Sequence, residues 1–118
     1  MTVMSSLLDT ETLDELIELS NEPGFMQKLV NGFIKDAETS IKKIHQDYEK
    51  ELDKEMLAQL HALKGSAMHI GAASLVDLTA RIHKTIKEKN KTPLPQLLQQ
   101  LDSRFNETSK ALFKYIEQ

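Results

Sequence analysis

Apolar residues return at three- and four-residue steps along most of the chain, the period of amphipathic helices rather than strands. The longest run is Phe25, Leu29, Phe33, Ala37, Ile41, Ile44 and Tyr48; no proline interrupts it, and it predicts a helix over 25–48. Ahead of it, Leu13, Leu16 and Ile17 give a narrow apolar edge to a short helix ending near Ser20. Thr12 and Glu15 stand at capping-box spacing for its start, and Asp9 or Thr10 offers an alternative. Between the two lies the turn signal Asn21-Glu22-Pro23-Gly24, with Pro23 placed to be the first residue of the longer helix.

After the charged stretch 49–51, Asp53 is placed to cap a third helix with an apolar face of Met56, Leu60, Leu63, Ala67 and Ile70, and Gly71 ends or bends it. A fourth helix runs from Ala72 to about Asn90, with Leu75, Leu78, Ile82 and Ile86 inward and Lys84, Lys87 and Lys89 toward its C-terminal end, where cations suit the helix dipole. Thr92 and Pro93 mark the start of the last, whose inward stripe is Leu94, Leu98, Leu101, Phe105, Thr108, Leu112 and Ile116. Four long amphipathic helices joined by short loops predict an all-α fold, an antiparallel four-helix bundle with the short N-terminal helix capping one end. Periodicity by itself leaves the topology open. A length of 118 residues suits one domain over 1–118. Residues 1–8 read as a flexible N-terminus, although Leu7 and Leu8 are placed to pack across one end.

Composition narrows the function classes. A net charge of −3, from 15 basic and 18 acidic residues, argues against a nucleic-acid binder, which would show a strongly basic face. The absence of cysteine removes disulfides, a thiolate nucleophile and a cysteine zinc site, and suits a reducing cytoplasm. The opening MTVMSSLL lacks the basic start and apolar run of a signal peptide, and no stretch approaches the roughly 18 apolar residues of a membrane span. A soluble, cytoplasmic, monomeric protein with no membrane partner is expected, and the ordinary leader after Met1 favours a free-standing one.

The candidate chemistry lies in LHALKGSAMHIGA, residues 60–72. Leu57, His61, Lys64, Gly65 and Met68 follow helical spacing on a stripe turned away from the apolar face, so this side should be solvated. Gly65 is out of place there, because a mid-helix glycine costs roughly 0.5–1 kcal/mol relative to alanine. Its missing side chain leaves the imidazole one turn earlier clear for another molecule, while Lys64 brings a cation within reach of an anion on that ring. Plainer readings stand beside these: an idle surface histidine, a solvated lysine, a glycine at a close helix contact, and Leu57 and Met68 as bundle-edge packing. His45, His69 and His83 do not share a zinc-binding helical spacing, and no metal site is expected.

His61, Leu63, Lys64, Gly65, Ser66, Ala67, Ile70, Gly71 and Ala72 together resemble the phosphorylation motif of histidine-containing phosphotransfer (HPt) domains. Two positions depart from that pattern: Leu60, where a small residue is frequent, and His83, near a position where glutamate is frequent. The resemblance implies an up-down-up-down bundle with an exposed, phosphorylatable histidine. It further implies that His61 accepts a phosphoryl group from the aspartate of one receiver domain and donates it to another, with Lys64 then offsetting charge on the phosphoryl oxygens. The stripe itself places Leu57, Gly65 and Met68 as the docking surface for such a receiver. The receivers would belong to response regulators or hybrid histidine kinases and would supply the carboxylates and Mg²⁺. This chain would then bind no cofactor and act as a carrier in a multistep two-component phosphorelay rather than as an enzyme. A solvated imidazole is mostly neutral near pH 7, leaving a ring nitrogen free to attack phosphorus without a dedicated base. Two other readings are a helical adaptor that docks a receiver or kinase without carrying phosphate, and the phosphoacceptor helix pair of a sensor kinase; for the second the chain has too many helices.

Overall fold

The computed structural model describes residues 7–117. Among them the chain forms α1 (Thr10–Leu19), α2 (Phe25–Glu49), α3 (Asp53–Ile70), α4 (Ala73–Lys87) and α5 (Leu94–Ile116), and no strand. Short loops force consecutive long helices to run antiparallel. Accordingly α2 packs on α3, α3 on α4 and α4 on α5, and α5 closes the ring on α2. The fold is therefore all-α, a four-helix bundle. α1 lies against α3 at the end where α3 and α5 stop. There it buries Leu13 completely, and the Tyr115 hydroxyl at the end of α5 donates to the Asp14 carboxylate.

One apolar seam per helix fills the interior. In α3 it is Met56, Leu60, Leu63, Ala67 and Ile70, each at most 1% exposed, and in α4 Leu75, Leu78, Ile82 and Ile86. In α5 the expected stripe is joined by Leu97, while Ile116 is only half-buried. The first two turns of α2 are rotated from the expected register: Met26 and Val30 are buried, whereas Phe25 is 40% exposed and Leu29 half-buried. Both pairs satisfy the helical period, so contacts with neighbouring helices, which the pattern does not contain, select between them.

Several helix ends differ from their expected signals. Asp9, rather than Thr12, caps α1: its carboxylate accepts the Thr12 amide at 3.3 Å and the Thr12 hydroxyl at 2.7 Å. Those bonds, the hydroxyl one foremost, hold the Asp9 carboxyl below the usual carboxylate range. The Asp9 amide in turn donates to the Gly71 carbonyl at 2.7 Å, a contact between distant segments that fixes the earlier start. Pro23 stays outside α2, because Gly24 adopts φ 80° and Phe25 is the first helical residue. Leu52, not Asp53, precedes α3; Asp53 sits in its first turn and accepts from Lys91 at 3.1 Å.

α2, α3 and α4 end with the same device, a left-handed residue whose neighbours return amides to the last-turn carbonyls. The left-handed residues are Glu51 (φ 56°), Gly71 (φ 77°) and Lys89 (φ 57°). Leu52, Ala72 and Asn90 donate to Asp47, Ala67 and Thr85 at 2.9, 2.8 and 3.2 Å. Only Gly71 carries the sequence signal for this geometry. It is also sterically required, since a Cβ there would lie 2.9 Å from the Asp9 carbonyl oxygen. The flexible leader expected over 1–8 falls, for residues 1–6, outside the described residues. Leu7 and Leu8 cross the corner beside Gly71, with the Ser74 amide donating to the Leu7 carbonyl at 3.2 Å and Leu8 packed on the core.

Gly71→Ala is expected to destabilise the protein by at least about 1–2 kcal/mol, the cost of a left-handed non-glycine residue, before the clash with Asp9 is added. Lys89→Gly, at the same kind of helix end, should stabilise it by about 0.5–1 kcal/mol. Urea denaturation of the two variants against the native chain measures both.

Candidate functional site

The buried seam of α3 fixes the rotation of the helix and so decides what it shows to solvent. His61 follows Leu60 by about 100° of helical turn, which carries it off the seam, and its ring is exposed in the middle of the helix. Lys64, one turn on, is half-buried beside it. Together with Leu60, Thr79, Ala80 and His83 they line a cleft of about 140 Å³ between α3 and α4. That is well below the ~300–1,000 Å³ of a pocket for a drug-sized ligand. A small group attached to the ring fits this geometry better than a diffusible substrate.

The other candidate residues sit on either side of this centre. Gly65 faces away from the cleft into a wider groove between α2 and α3, lined also by Lys28, Leu29, Gly32, Asp36, Ser66 and His69. Met68 is 58% exposed and borders a third hollow near the Gly71 corner, with Asp9, Thr12, Val76 and Asp77. Leu57 is half-buried and packs against the core, so the edge-packing reading describes its contacts. The predicted stripe is thus a ridge between two grooves, with His61 and Lys64 on the α4 side and Gly65 on the α2 side.

Gly65 has no atom of another element within 4 Å of the position a Cβ would take. The close-helix-contact explanation therefore does not apply to it. Gly32, in mid-α2, is equally open and lines the same groove. Gly32 is absent from the stripe around His61, and its signal in the sequence is a glycine inside a long uninterrupted helix. Two helices thus each lack a side chain where they flank one groove.

Two features of the electrostatics bear on the cleft. His83 is half-buried on α4, and its pKa is lowered first by burial, then by the charges of Lys87 and Lys64 and by His61. The Thr79 hydroxyl is already committed to the Leu75 and Val76 carbonyls, at 2.8 and 3.0 Å. His45 lies elsewhere, bonded to Asp102 of α5 at 2.8 Å, and His69 lies in the α2–α3 groove. Among the described residues no group of three or more His, Asp or Glu is placed to hold a metal ion, and no helix is long and apolar enough to cross a membrane.

Comparison with known proteins places this geometry in a family. The model of the Hpt domain matches residues 28–111, a span that contains the whole motif around His61. No curated protein sequence matches the chain. Of solved structures, histidine-containing phosphotransfer protein B from Pseudomonas aeruginosa PAO1 superposes with a TM-score of 0.84 at 19% identity, covering 95% of this chain and 96% of that one. A rice protein assigned as a histidine-containing phosphotransfer protein gives 0.82 at 23% identity, covering 94% and 82%. At such identities the likeness is one of fold.

Because both mid-helix glycines stand open, Gly65→Ala and Gly32→Ala should each stabilise the protein by about 0.5–1 kcal/mol through helix propensity alone. Thermal or urea unfolding of each variant checks this, and destabilisation by either would mean that the glycine serves the fold after all.

Proposed function

The chain belongs to the Hpt domain family, and from that premise we propose that it is a phosphoryl carrier in a multistep two-component relay, with His61 as both acceptor and donor. The observation that carries the reading is an exposed imidazole in mid-α3, with a lysine in the same small cleft, inside the segment matched by the family. A neutral ring nitrogen of His61 attacks the phosphorus of an aspartyl phosphate on a receiver domain. The N–P bond forms as the P–O bond to the aspartyl carboxylate breaks, and the carboxylate leaves with the bonding pair. Transfer to the next receiver runs the same step in reverse. Phosphoryl transfer depends mainly on positioning and charge stabilisation, so a carrier needs a presented nucleophile and a dock, while the receiver brings the carboxylates and Mg²⁺.

In this reading Lys64 balances negative charge on the phosphoryl oxygens. Gly65 keeps the ridge low so that a receiver loop approaches His61, and Gly32 extends the same low ground onto α2. Met68, exposed and flexible, adds an adaptable apolar contact at the rim, and Leu57 a smaller one. The receivers belong to response regulators or hybrid kinases, and the carrier acts as a cytoplasmic monomer.

Incubation with a labelled phosphoreceiver and Mg²⁺ should place acid-labile, base-stable label on the native chain and none on His61→Gln, which should keep its helical circular dichroism. Binding of receivers without any label would instead favour an adaptor. Gly65→Gln should slow transfer at least about tenfold without loss of stability, by obstructing the dock; unchanged transfer in that variant would remove the docking role of the glycine.

A further inference from the structure

The cleft around His61 holds a second imidazole that the relay reading leaves without a task. Of the residues lining it, Leu60 and Ala80 are apolar, and the Thr79 hydroxyl is bound to helix carbonyls. That leaves Lys64 and His83 as the side chains able to meet an anion carried on His61. Lys64 comes from the same helix, one turn along, whereas His83 comes from α4 across the cleft. We propose that His83 is the proton partner of the phosphoryl site, neutral while His61 is bare and protonated once His61 carries phosphate, so that the phosphoryl group on His61 and the proton on His83 arrive and leave together.

The charges around His83 make both halves of this possible. Those acting on it are Lys64 and His61 from α3 and Lys87 on its own helix; among the described residues none comes from α5, the other helix packed on α4. Half-buried, and with the charges of Lys87 and Lys64 and a second imidazole acting on it, the ring of His83 disfavours a proton. A phosphoryl group on His61 brings close to two negative charges into the same small space and offsets the two lysine cations that disfavour a proton on His83. The proton comes from solvent and converts the His83 imidazole to imidazolium, which donates to a phosphoryl oxygen while the N–P bond stays intact. When the group leaves for a receiver aspartate, the cations again dominate and the proton returns to solvent. Rising pH then favours donation from His61, and falling pH favours retention.

The proposal rests on His61 as the phosphorylated residue, and it is tested without any receiver. Phosphoramidate, a small donor that phosphorylates imidazoles, loads the full chain, and ¹H–¹⁵N spectra follow the His83 ring from pH 5 to 9 in the bare and loaded protein. The His83 midpoint should rise by about one pH unit or more on loading. In a receiver assay, the share of label held on the native chain should fall with pH more steeply than the share held on His83→Gln, by up to about tenfold across the window. A His83 midpoint unmoved by loading, or identical pH profiles for the native chain and His83→Gln, overturns the proposal. Failure of the relay reading looks different: phosphoramidate still loads His61 but no receiver delivers or removes the group, and the spectra then decide His83 alone.

Discussion

The position of the candidate histidine depends on the burial of one seam. Met56, Leu60, Leu63, Ala67 and Ile70 are all but inaccessible, and together they leave α3 a single rotation in which the core is filled. Burying a leucine-sized side chain is worth about 1.5–3 kcal/mol, so a rotation that lifted several of these residues into water would exceed the whole stability of a small domain. His61, one residue past Leu60, inherits its direction from that constraint. Lys64 of the same helix and His83 of α4 line the cleft with it, so the packing of α3 on α4 sets the surroundings of the ring as well as its exposure.

Around the ridge, the bundle gives up stability in favour of open space. Gly32 and Gly65 meet no neighbouring atom where a Cβ would stand and weaken their helices, and both border the groove between α2 and α3. Sites where local rules fail without a compensating contact are where function is most readily placed. The small residues within the Gly71 corner have the opposite meaning. There the backbone of Asp9 comes so close that no side chain fits, and the corner binds Leu7, α1, α3 and α4 into one end of the bundle. Gly65 and Gly71 stand six residues apart in one motif, yet one serves access and the other serves the fold.

The charge balance of the molecule is mildly acidic, whereas Lys64 lines the cleft at His61, and both Lys64 and Lys87 act on His83 there. Such a local field suits a site that alternates between a bare imidazole and one carrying a dianion.

The sequence by itself determined the helical class, the number of long helices, most of the buried seams and the stripe that holds His61, because all of these follow from the spacing of apolar residues and from the turn residues between them. It also located Gly71 as a helix end, since glycine is the usual left-handed residue. It did not reveal that Glu51 and Lys89 take the same conformation without glycine, that Asp9 outcompetes Thr12 as a cap, or that Met26 and Val30 turn inward in place of Phe25 and Leu29. Each of these is settled by contacts between distant segments, which no local pattern encodes. The site divides in the same way. Its central residues were legible as a motif on one helix, but Gly32 and His83 join it from α2 and α4, and only the packing of those helices on α3 brings them to it.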